Sequence, residues 1–212
     1  MNSLIAVIFL ITFLVSRSYS IIAPTVTTTY GPVSGTVTQL PTNKTVKSYL
    51  GIPFAQAKRF EDPVPPNKWT STLHANATRS VCPQHVLQGT EYQRPLFNEE
   101  HCLMLSVYIP ENATSGSRLA VMLWIHGGAF LSGDTLSFNG AVLATEGNVI
   151  VVVAAYRLGV LGFLSSRSSD LKGNYGMMDQ VEAMKWVYKN IARYESVSNY
   201  ELRQLSNRVT QE

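Results

Sequence analysis

The sequence predicts an α/β fold, in which helices flank a mixed, mostly parallel sheet. Two continuous apolar runs rich in Val and Ile, 119–125 and 149–155, are typical of strands that are buried on both faces. A glycine-containing loop and a short helix-like stretch, 138–145, separate the runs and give a β-α-β order. Helical spacing then predicts one face of a longer helix that begins at Asn174 or Gly176. That face consists of Met177, Val181, Met184, Tyr188 and Ile191.

The first half of the chain is predicted to form strands and turns. Val and Thr alternate over 26–40 around a Gly-Pro-Val-Ser-Gly turn at 31–35, which predicts an antiparallel hairpin that leads into the sheet. A further strand is expected over 47–54, and closely spaced prolines make 60–69 irregular. Alternating apolar residues over 103–109 predict a half-buried strand.

Composition excludes several classes of function. The chain has 212 residues, of which 45% are apolar and 15% charged, as in a globular protein and unlike a disordered one. The net charge is +3 with scattered Lys and Arg, so no basic stripe indicates nucleic acid binding. Two cysteines exclude a zinc cluster, and the histidines are not spaced as metal ligands.

The N-terminus has the pattern of a secretory signal peptide. An apolar run over 4–15 precedes the small residues Ser18 and Ser20, which suit cleavage after Ser20. The alternative, a membrane anchor, needs roughly 20 apolar residues to cross a bilayer, and this run is shorter. We therefore expect residues 1–20 to be removed and the rest of the chain to be secreted.

Sequons and cysteines agree with an extracellular location. The pattern Asn-x-Ser/Thr occurs at Asn43, Asn76 and Asn112, each in a polar stretch. In an oxidising compartment Cys82 and Cys102 are expected to pair and to close a loop of about 20 residues, which stabilises the fold by roughly 3 kcal/mol. The alternative is a pair of buried free thiols.

The segment with the most chemical information follows the first apolar run. It reads Trp-Ile-His-Gly-Gly-Ala-Phe over 124–130. Small residues at the end of a strand allow backbone N–H groups to point into a cleft. Two such groups can stabilise the oxyanion that develops during acyl transfer, at about 3 kcal/mol per donor. The alternative is a tight strand-to-helix turn that needs glycine only for its backbone angles.

Four further blocks accompany this loop in the chain. In this order the set resembles the type-B carboxylesterase and cholinesterase family, from about Thr29 to Tyr194. The resemblance implies an α/β-hydrolase fold, a serine-type carboxylic ester hydrolase, a small-molecule ester as substrate and no cofactor. The blocks are Gly-Ile-Pro-Phe-Ala at 51–55 with Arg-Phe at 59–60, Glu-His-Cys-Leu at 100–103, Tyr-Arg-Leu-Gly-Val-Leu-Gly-Phe at 156–163 and Gly-Asn-Tyr-Gly-Met-Met-Asp-Gln at 173–180.

The resemblance assigns roles to individual residues of the glycine segment. Gly128 and Ala129 match the two positions whose N–H groups form the oxyanion hole, and Gly127 matches a position that supports the turn. Cys82 and Cys102 match the first disulfide of the family.

The resemblance also implies two structural ion pairs, Arg59 with Glu100 and Arg157 with Asp179. Both pairs are expected to be buried and to orient the chain, not to act in catalysis. Removing one partner of such a buried pair costs about 3–5 kcal/mol.

The catalytic triad that the family requires has no match in this sequence. The family places Ser on a GxSxG elbow, followed by Glu or Asp and then His, and no GxSxG occurs here. The resemblance ends near Tyr194, and 195–212 is a divergent tail. We expect residues 21–194 to be the N-terminal part of an incomplete family domain. The chain is then inactive and is a fragment, a truncated splice product or a gene-model error.

The alternative is that the full-length protein is a neuroligin-like adhesion protein. Neuroligins resemble the same family, keep its fold and lack the catalytic Ser. The stretches 148–163 and 173–180 are as similar to neuroligins as to esterases. Ala129 favours an esterase, because neuroligins tend to have a larger polar residue there. A neuroligin-like chain would bind a partner protein in place of an ester.

Overall fold

The computed structural model describes residues 23–78, 80–84, 101–114 and 116–194. The predicted signal peptide 1–20 and the tail 195–212 lie outside these residues. The described elements follow in chain order. They are strands β1 (Thr25–Thr27), β2 (Pro32–Ser34), β3 (Thr36–Gln39), β4 (Thr45–Pro53), β5 (Leu73–His74), β6 (Met104–Pro110) and β7 (Val121–Ile125), helix α1 (Ala141–Gly147), strand β8 (Ile150–Ala154), helices α2 (Gly159–Phe163) and α3 (Tyr175–Asn190), and a final 3₁₀ turn, Ile191–Tyr194.

The described strands form two sheets. A small sheet has the order β1-β2-β5, and a five-stranded sheet has the order β3-β4-β6-β8-β7. The larger sheet is mixed, as predicted, but the prediction that it is mostly parallel is wrong for the described residues. Only β7 and β8 pair in parallel there, whereas the pairs β3–β4, β4–β6 and β6–β8 are antiparallel. A parallel neighbour in sequence needs a crossover helix, and α1 supplies it for this one pair.

The predicted N-terminal hairpin exists, but its turn lies earlier than the sequence indicates. Strands β1 and β2 pair antiparallel, and the turn between them is Thr28–Gly31, where the Thr28 hydroxyl accepts hydrogen bonds from the N–H groups of Tyr30 and Gly31. The predicted turn residues 32–34 are strand β2 itself. At Gly35 the chain passes into β3 of the larger sheet, and a side chain there would overlap the Ser48 carbonyl of β4.

The β7-α1-β8 unit confirms the predicted β-α-β order. Helix α1 begins later than expected because the Asn139 side chain accepts a hydrogen bond of 2.9 Å from the Ala141 N–H at its first turn. Asn148, in the left-handed region at φ 50°, ends the helix. The buried residues Ala141 and Ala144 pack this helix against one face of the larger sheet.

Strands β6 and β8 form the centre of the core. All five residues of β8 are buried, as predicted for a strand covered on both faces. Strand β6 is buried over six of its seven residues, so its predicted half-exposure is wrong. One side of β6 packs in a cluster with Trp186 of α3, and the other side packs through Tyr108 against Ala141 and Ala144 of α1. Helices on both faces make this part of the protein a three-layer structure.

Strand β7 and helix α3 differ from their predicted burial. Strand β7 is the last strand of the described sheet, and Met122 and Trp124 are nearly half exposed. Helix α3 begins after Asn174, as predicted, but most of the predicted apolar face points to solvent. Another stripe packs inward and contains Tyr175, Asp179, Ala183, Trp186 and Asn190. None of the described helices combines the length and apolar character that crossing a bilayer requires.

Candidate active-site loop

The glycine loop, residues 127–133, follows the carboxyl end of β7. Three successive residues, Gly128, Ala129 and Phe130, have φ values of 119°, 53° and 60°. The Gly128 carbonyl accepts hydrogen bonds from Leu131 N–H (2.9 Å) and Ser132 N–H (3.2 Å), which closes the loop on itself. A side chain on Gly128 would overlap the Ser132 carbonyl, so this turn requires glycine.

The loop presents backbone donors at the surface. Residues 127–131 are exposed, and within the described residues the N–H groups of Gly128 and Ala129 donate no hydrogen bond. A Cβ on Gly127 would meet no heavy atom within 4 Å. Both donors therefore belong to exposed residues and have no partner among the described residues. Two backbone N–H groups that point at one position can stabilise a developing negative charge on oxygen.

A buried aromatic pair supports the loop from below. His126 stacks on Tyr156 with 4.5 Å between the ring centroids, and the Tyr156 hydroxyl donates to the His126 carbonyl at 2.9 Å. The His126 Nδ1–H donates to the Gly127 carbonyl at 3.0 Å. Burial lowers the pKa of His126, and the hydrogen bond to Gly127 opposes that shift. His126 therefore supports the loop through its ring contact with Tyr156 and its hydrogen bond to Gly127.

Two further contacts fix the far side of the loop. The Phe130 carbonyl accepts a 2.7 Å hydrogen bond from Gly159 N–H, and the Phe130 and Phe163 rings lie 4.9 Å apart. The side-chain amide of Gln84 makes two hydrogen bonds to Gly133. Sequence reasoning missed Gln84, and its place two residues after a cysteine is the only signal that could have suggested it.

Arg157 and Asp179, predicted as a structural pair, meet in the interior. The guanidinium donates through Nε (2.8 Å) and Nη2 (2.7 Å) to the two carboxylate oxygens, and the Arg157 N–H adds a third bond at 2.9 Å. Burial raises the pKa of the Asp179 carboxyl, and the hydrogen bonds from Arg157 lower it. The Nη1 group reaches the carbonyls of Lys58 and Glu61, so the pair ties α3 to an irregular segment.

The other predicted pair is only half described. Arg59 is exposed, which contradicts its expected burial, because it lies in a surface turn beside Phe60, whose φ is 59°. Glu100 lies outside the described residues, so the pairing itself stays a prediction.

Cys82 and Cys102 form a disulfide, and both residues are buried. The bond joins the segment before Gln84 to the residues that lead into β6. The Ser80 hydroxyl also donates to the His101 carbonyl at 2.5 Å, which gives a second contact between the two segments. The bond therefore fixes the position of the chain at Gln84 relative to the central sheet.

The three predicted glycosylation sites, Asn43, Asn76 and Asn112, are all exposed. Asn43 lies in a turn with φ at 60°, where its N–H donates to the Leu40 carbonyl at 2.9 Å. No cluster of His, Cys, Asp and Glu suited to a metal ion occurs among the described residues.

The fold and the glycine loop together define an α/β protein with a candidate oxyanion-binding turn, and comparison with known proteins gives its family. A model of the carboxylesterase family matches residues 22–196. The chain belongs to the carboxylesterase family. Cocaine esterase of Homo sapiens is 38% identical over 185 residues, and carboxylesterase 3B of Mus musculus is 40% identical over 186 residues. Neuroligin-3 of Mus musculus is 37% identical over 216 residues.

These relatives are much longer than the chain. The matches to the two esterases cover 81% and 82% of this chain but 33% of each esterase. The match to neuroligin-3 covers 80% of this chain and 26% of neuroligin-3. The chain thus spans about a third of the length of the esterase relatives, and the glycine loop lies within that third.

Proposed function

We propose that this chain carries the oxyanion-binding element of a serine-type carboxylic ester hydrolase. The observation that supports this most is the pair of exposed residues Gly128 and Ala129 at the carboxyl end of a parallel strand, whose N–H groups have no partner among the described residues. In acyl transfer the substrate carbonyl oxygen becomes negative, and each such donor is worth about 3 kcal/mol to the transition state. A small-molecule ester is the proposed substrate class, and this chemistry needs no cofactor.

The chain alone is proposed to be inactive towards esters. An oxyanion hole polarises a carbonyl, but ester hydrolysis through an acyl-enzyme also needs a nucleophile, a base and an orienting carboxylate. The sequence contains no GxSxG elbow that would present a serine. The glycine loop is therefore one component of the reaction and not the whole catalyst.

An anion titration tests the proposed role of the loop. Short carboxylates such as butyrate carry the negative oxygen that an oxyanion hole binds, so they should shift the amide resonances of Gly128 and Ala129 in ¹⁵N spectra of the full chain. Gly127→Ala adds a methyl group next to the Gly128 N–H, in open space and without a clash. The methyl group should hinder a bound carboxylate, so we expect weaker shifts while the fold is kept.

Gly116→Ala is the matched control, because a Cβ at Gly116 also meets no atom within 4 Å. This variant should titrate like the parent chain. Shifts spread evenly over the spectrum, or equal titration of both variants, would contradict the proposed loop function. Turnover of an aryl ester by the purified chain, after contaminating esterases are removed, would overturn the proposed inactivity.

Secretion and glycosylation are proposed for the same chain. The disulfide Cys82–Cys102 and the exposed asparagines support an oxidising, extracellular location. A chain expressed in a secretory host should lose mass on removal of N-linked glycans. Thr45→Ala is the better way to remove the first site, because Asn43 occupies a left-handed conformation that other residues adopt at a cost.

A neuroligin-like adhesion role is the second candidate, and the match to neuroligin-3 is the observation that favours it. Such a chain would bind a partner protein and would need no nucleophile. Sequencing the transcript beyond the codon for Tyr194 separates the two functions. A GxSxG motif with a later Glu or Asp and His supports the esterase, whereas an elbow without Ser followed by a membrane span supports adhesion.

A further inference from the structure

We propose that Gln84 is a positioning residue that locks the glycine loop to the disulfide-bonded segment. The proposal rests on the proposed function, since it concerns the same loop. Gln84 Nε2–H donates to the Gly133 carbonyl at 2.7 Å, and Gly133 N–H donates to Gln84 Oε1 at 2.7 Å. Both polar groups of one backbone residue are therefore held by one side-chain amide, which lies 49 residues away in sequence.

Gly133 contacts the residues that precede the two N–H donors, so fixing its position also fixes theirs. Its φ is 135°, and a side chain there would overlap the His126 ring and approach the Gly127 carbonyl. Gly133 thus packs directly beneath the residues that precede the two N–H donors. Because Gly133 lies in close contact with the His126 ring and the Gly127 carbonyl, a shift of Gly133 towards them displaces both residues.

Gln84 is itself fixed in place by the disulfide. It lies two residues after Cys82, which is buried and bonded to Cys102 just before β6. Its Nε2 also donates to the Cys82 carbonyl at 3.2 Å. A continuous chain of contacts therefore runs from the central strand β6 through the disulfide and Gln84 to the glycine loop. The amide orientation is unambiguous, since Gly133 needs one acceptor and one donor.

Gln84→Glu tests the proposal through a change of protonation. A protonated carboxyl has the shape of the amide and can both donate to the Gly133 carbonyl and accept from its N–H. A carboxylate can only accept and faces the Gly133 carbonyl with a negative charge. Near neutral pH the carboxylate of Gln84→Glu cannot donate to the carbonyls of Gly133 and Cys82 that the Gln84 amide reaches, and both carbonyls repel it. We therefore expect this repulsion to move the side chain away from Gly133, so that the bond from the Gly133 N–H is lost as well, and we expect both bonds to return below the ordinary carboxyl pKa of about 4.3.

The measurement is hydrogen-exchange protection of the Gly133 amide in the full chain, corrected for the intrinsic effect of pH on exchange. In Gln84→Glu, protection at about pH 7 should fall at least about tenfold relative to the parent and return at about pH 4. The Gly128 and Ala129 resonances should move away from their parent positions at neutral pH and return with acid. Gln84→Ala should lose protection at both pH values.

Gln39→Glu is the control, because Gln39 is exposed on β3 and the substitution makes the same change of charge. It should match the parent at both pH values. Parent-like protection of Gly133 in Gln84→Glu at neutral pH would overturn the proposal, and so would a loss that acid does not reverse, including general unfolding. Failure of the anion titration alone would contradict the oxyanion function and leave this result unchanged.

Discussion

Strands β8 and β7 are neighbours built from similar apolar residues, but only β8 is fully covered. Ile150–Ala154 of β8 is buried throughout, between the α1 layer and the α3 layer. Val121–Ile125 of β7 alternates between partly buried and exposed residues and ends the described sheet. An apolar run therefore indicates that a segment needs to be buried. Whether it is buried depends on elements elsewhere in the chain.

Helix α3 repeats the contrast within one element. The stripe with Trp186 is buried, and the stripe with Met177, Met184 and Tyr188 is about two-fifths to half exposed. The buried stripe carries the polar residues that lock the helix in place, Asp179 through Arg157 and Asn190 through a 2.7 Å bond from the Thr29 N–H. The buried face of α3 is thus distinguished from the exposed face by its specific polar contacts more than by the number of its apolar residues.

The largest expected effect is the loss of the buried ion pair. Asp179→Ala leaves the Arg157 guanidinium buried without its carboxylate and should lower the free energy of unfolding by about 3–5 kcal/mol. Denaturant unfolding monitored by tryptophan fluorescence measures this loss. Glu146→Ala is the control, because it breaks the exposed pair Lys44–Glu146 and should change stability little. Equal effects of the two substitutions would contradict the assigned importance of the buried pair.

Truncation of one side chain in a covered strand and of one in β7 tests the contrast between covered and uncovered strands directly. Leu105→Ala in β6 removes a fully buried side chain and should lower the free energy of unfolding by about 2–5 kcal/mol. Met122→Ala in β7 removes a side chain that is 47% exposed and should stay within about 0.5 kcal/mol of the parent. Losses of similar size would mean that β7 is covered in solution.

The sequence allowed several helices and strands to be located, but not which of their faces are buried. The strand β8, the β-α-β order and the start of α3 follow from local apolar periodicity, which each segment carries within itself. The predicted buried face of α3 was wrong because both stripes of the helix carry apolar residues that could pack. The contacts of Arg157 and Thr29 with the other stripe decide which one is buried. The predicted position of the hairpin turn was wrong because a Gly-Pro-x-x-Gly pattern usually indicates a turn. In this chain Gly35 is needed for another reason, the close approach of the backbone to β4.

The candidate site divides in the same way. The glycine loop could be located from sequence, since its glycines and the preceding strand are adjacent in the chain. Gln84 could not be assigned this role, because a contact over 49 residues leaves no periodicity to detect and its place two residues after a cysteine does not indicate its partner. Resemblance to the family supplied the Arg157–Asp179 pair, because that pairing cannot be derived from local pattern. The disulfide was already expected, because the chain has only two cysteines and the predicted compartment is oxidising.

Strand β7 has no neighbour on one side among the described residues, and we expect this edge to cause association of the chain. An uncovered strand that presents Met122 and Trp124 can pair with another strand edge and bury apolar surface. Trp124→Lys should reduce concentration-dependent association, measured by sedimentation velocity. Val64→Lys is the control, since Val64 is also exposed but lies outside both sheets. Reduction by both variants alike would indicate an effect of charge and not of the edge.

The smallest expected effect is a dependence of stability on pH through His126. Burial holds the pKa of His126 below its ordinary value of 6.5, so the unfolded chain binds the proton more readily than the folded chain. The contribution to stability is present above about pH 6.5 and is lost as pH falls towards the lower pKa of the folded state. His126→Phe keeps an aromatic ring against Tyr156 and removes this titration. The slope of unfolding free energy against pH should therefore be shallower in the variant below that pH. An unchanged slope would show that His126 is solvated as well in the folded chain as in the unfolded one, and that the support beneath the glycine loop is looser than its packing indicates.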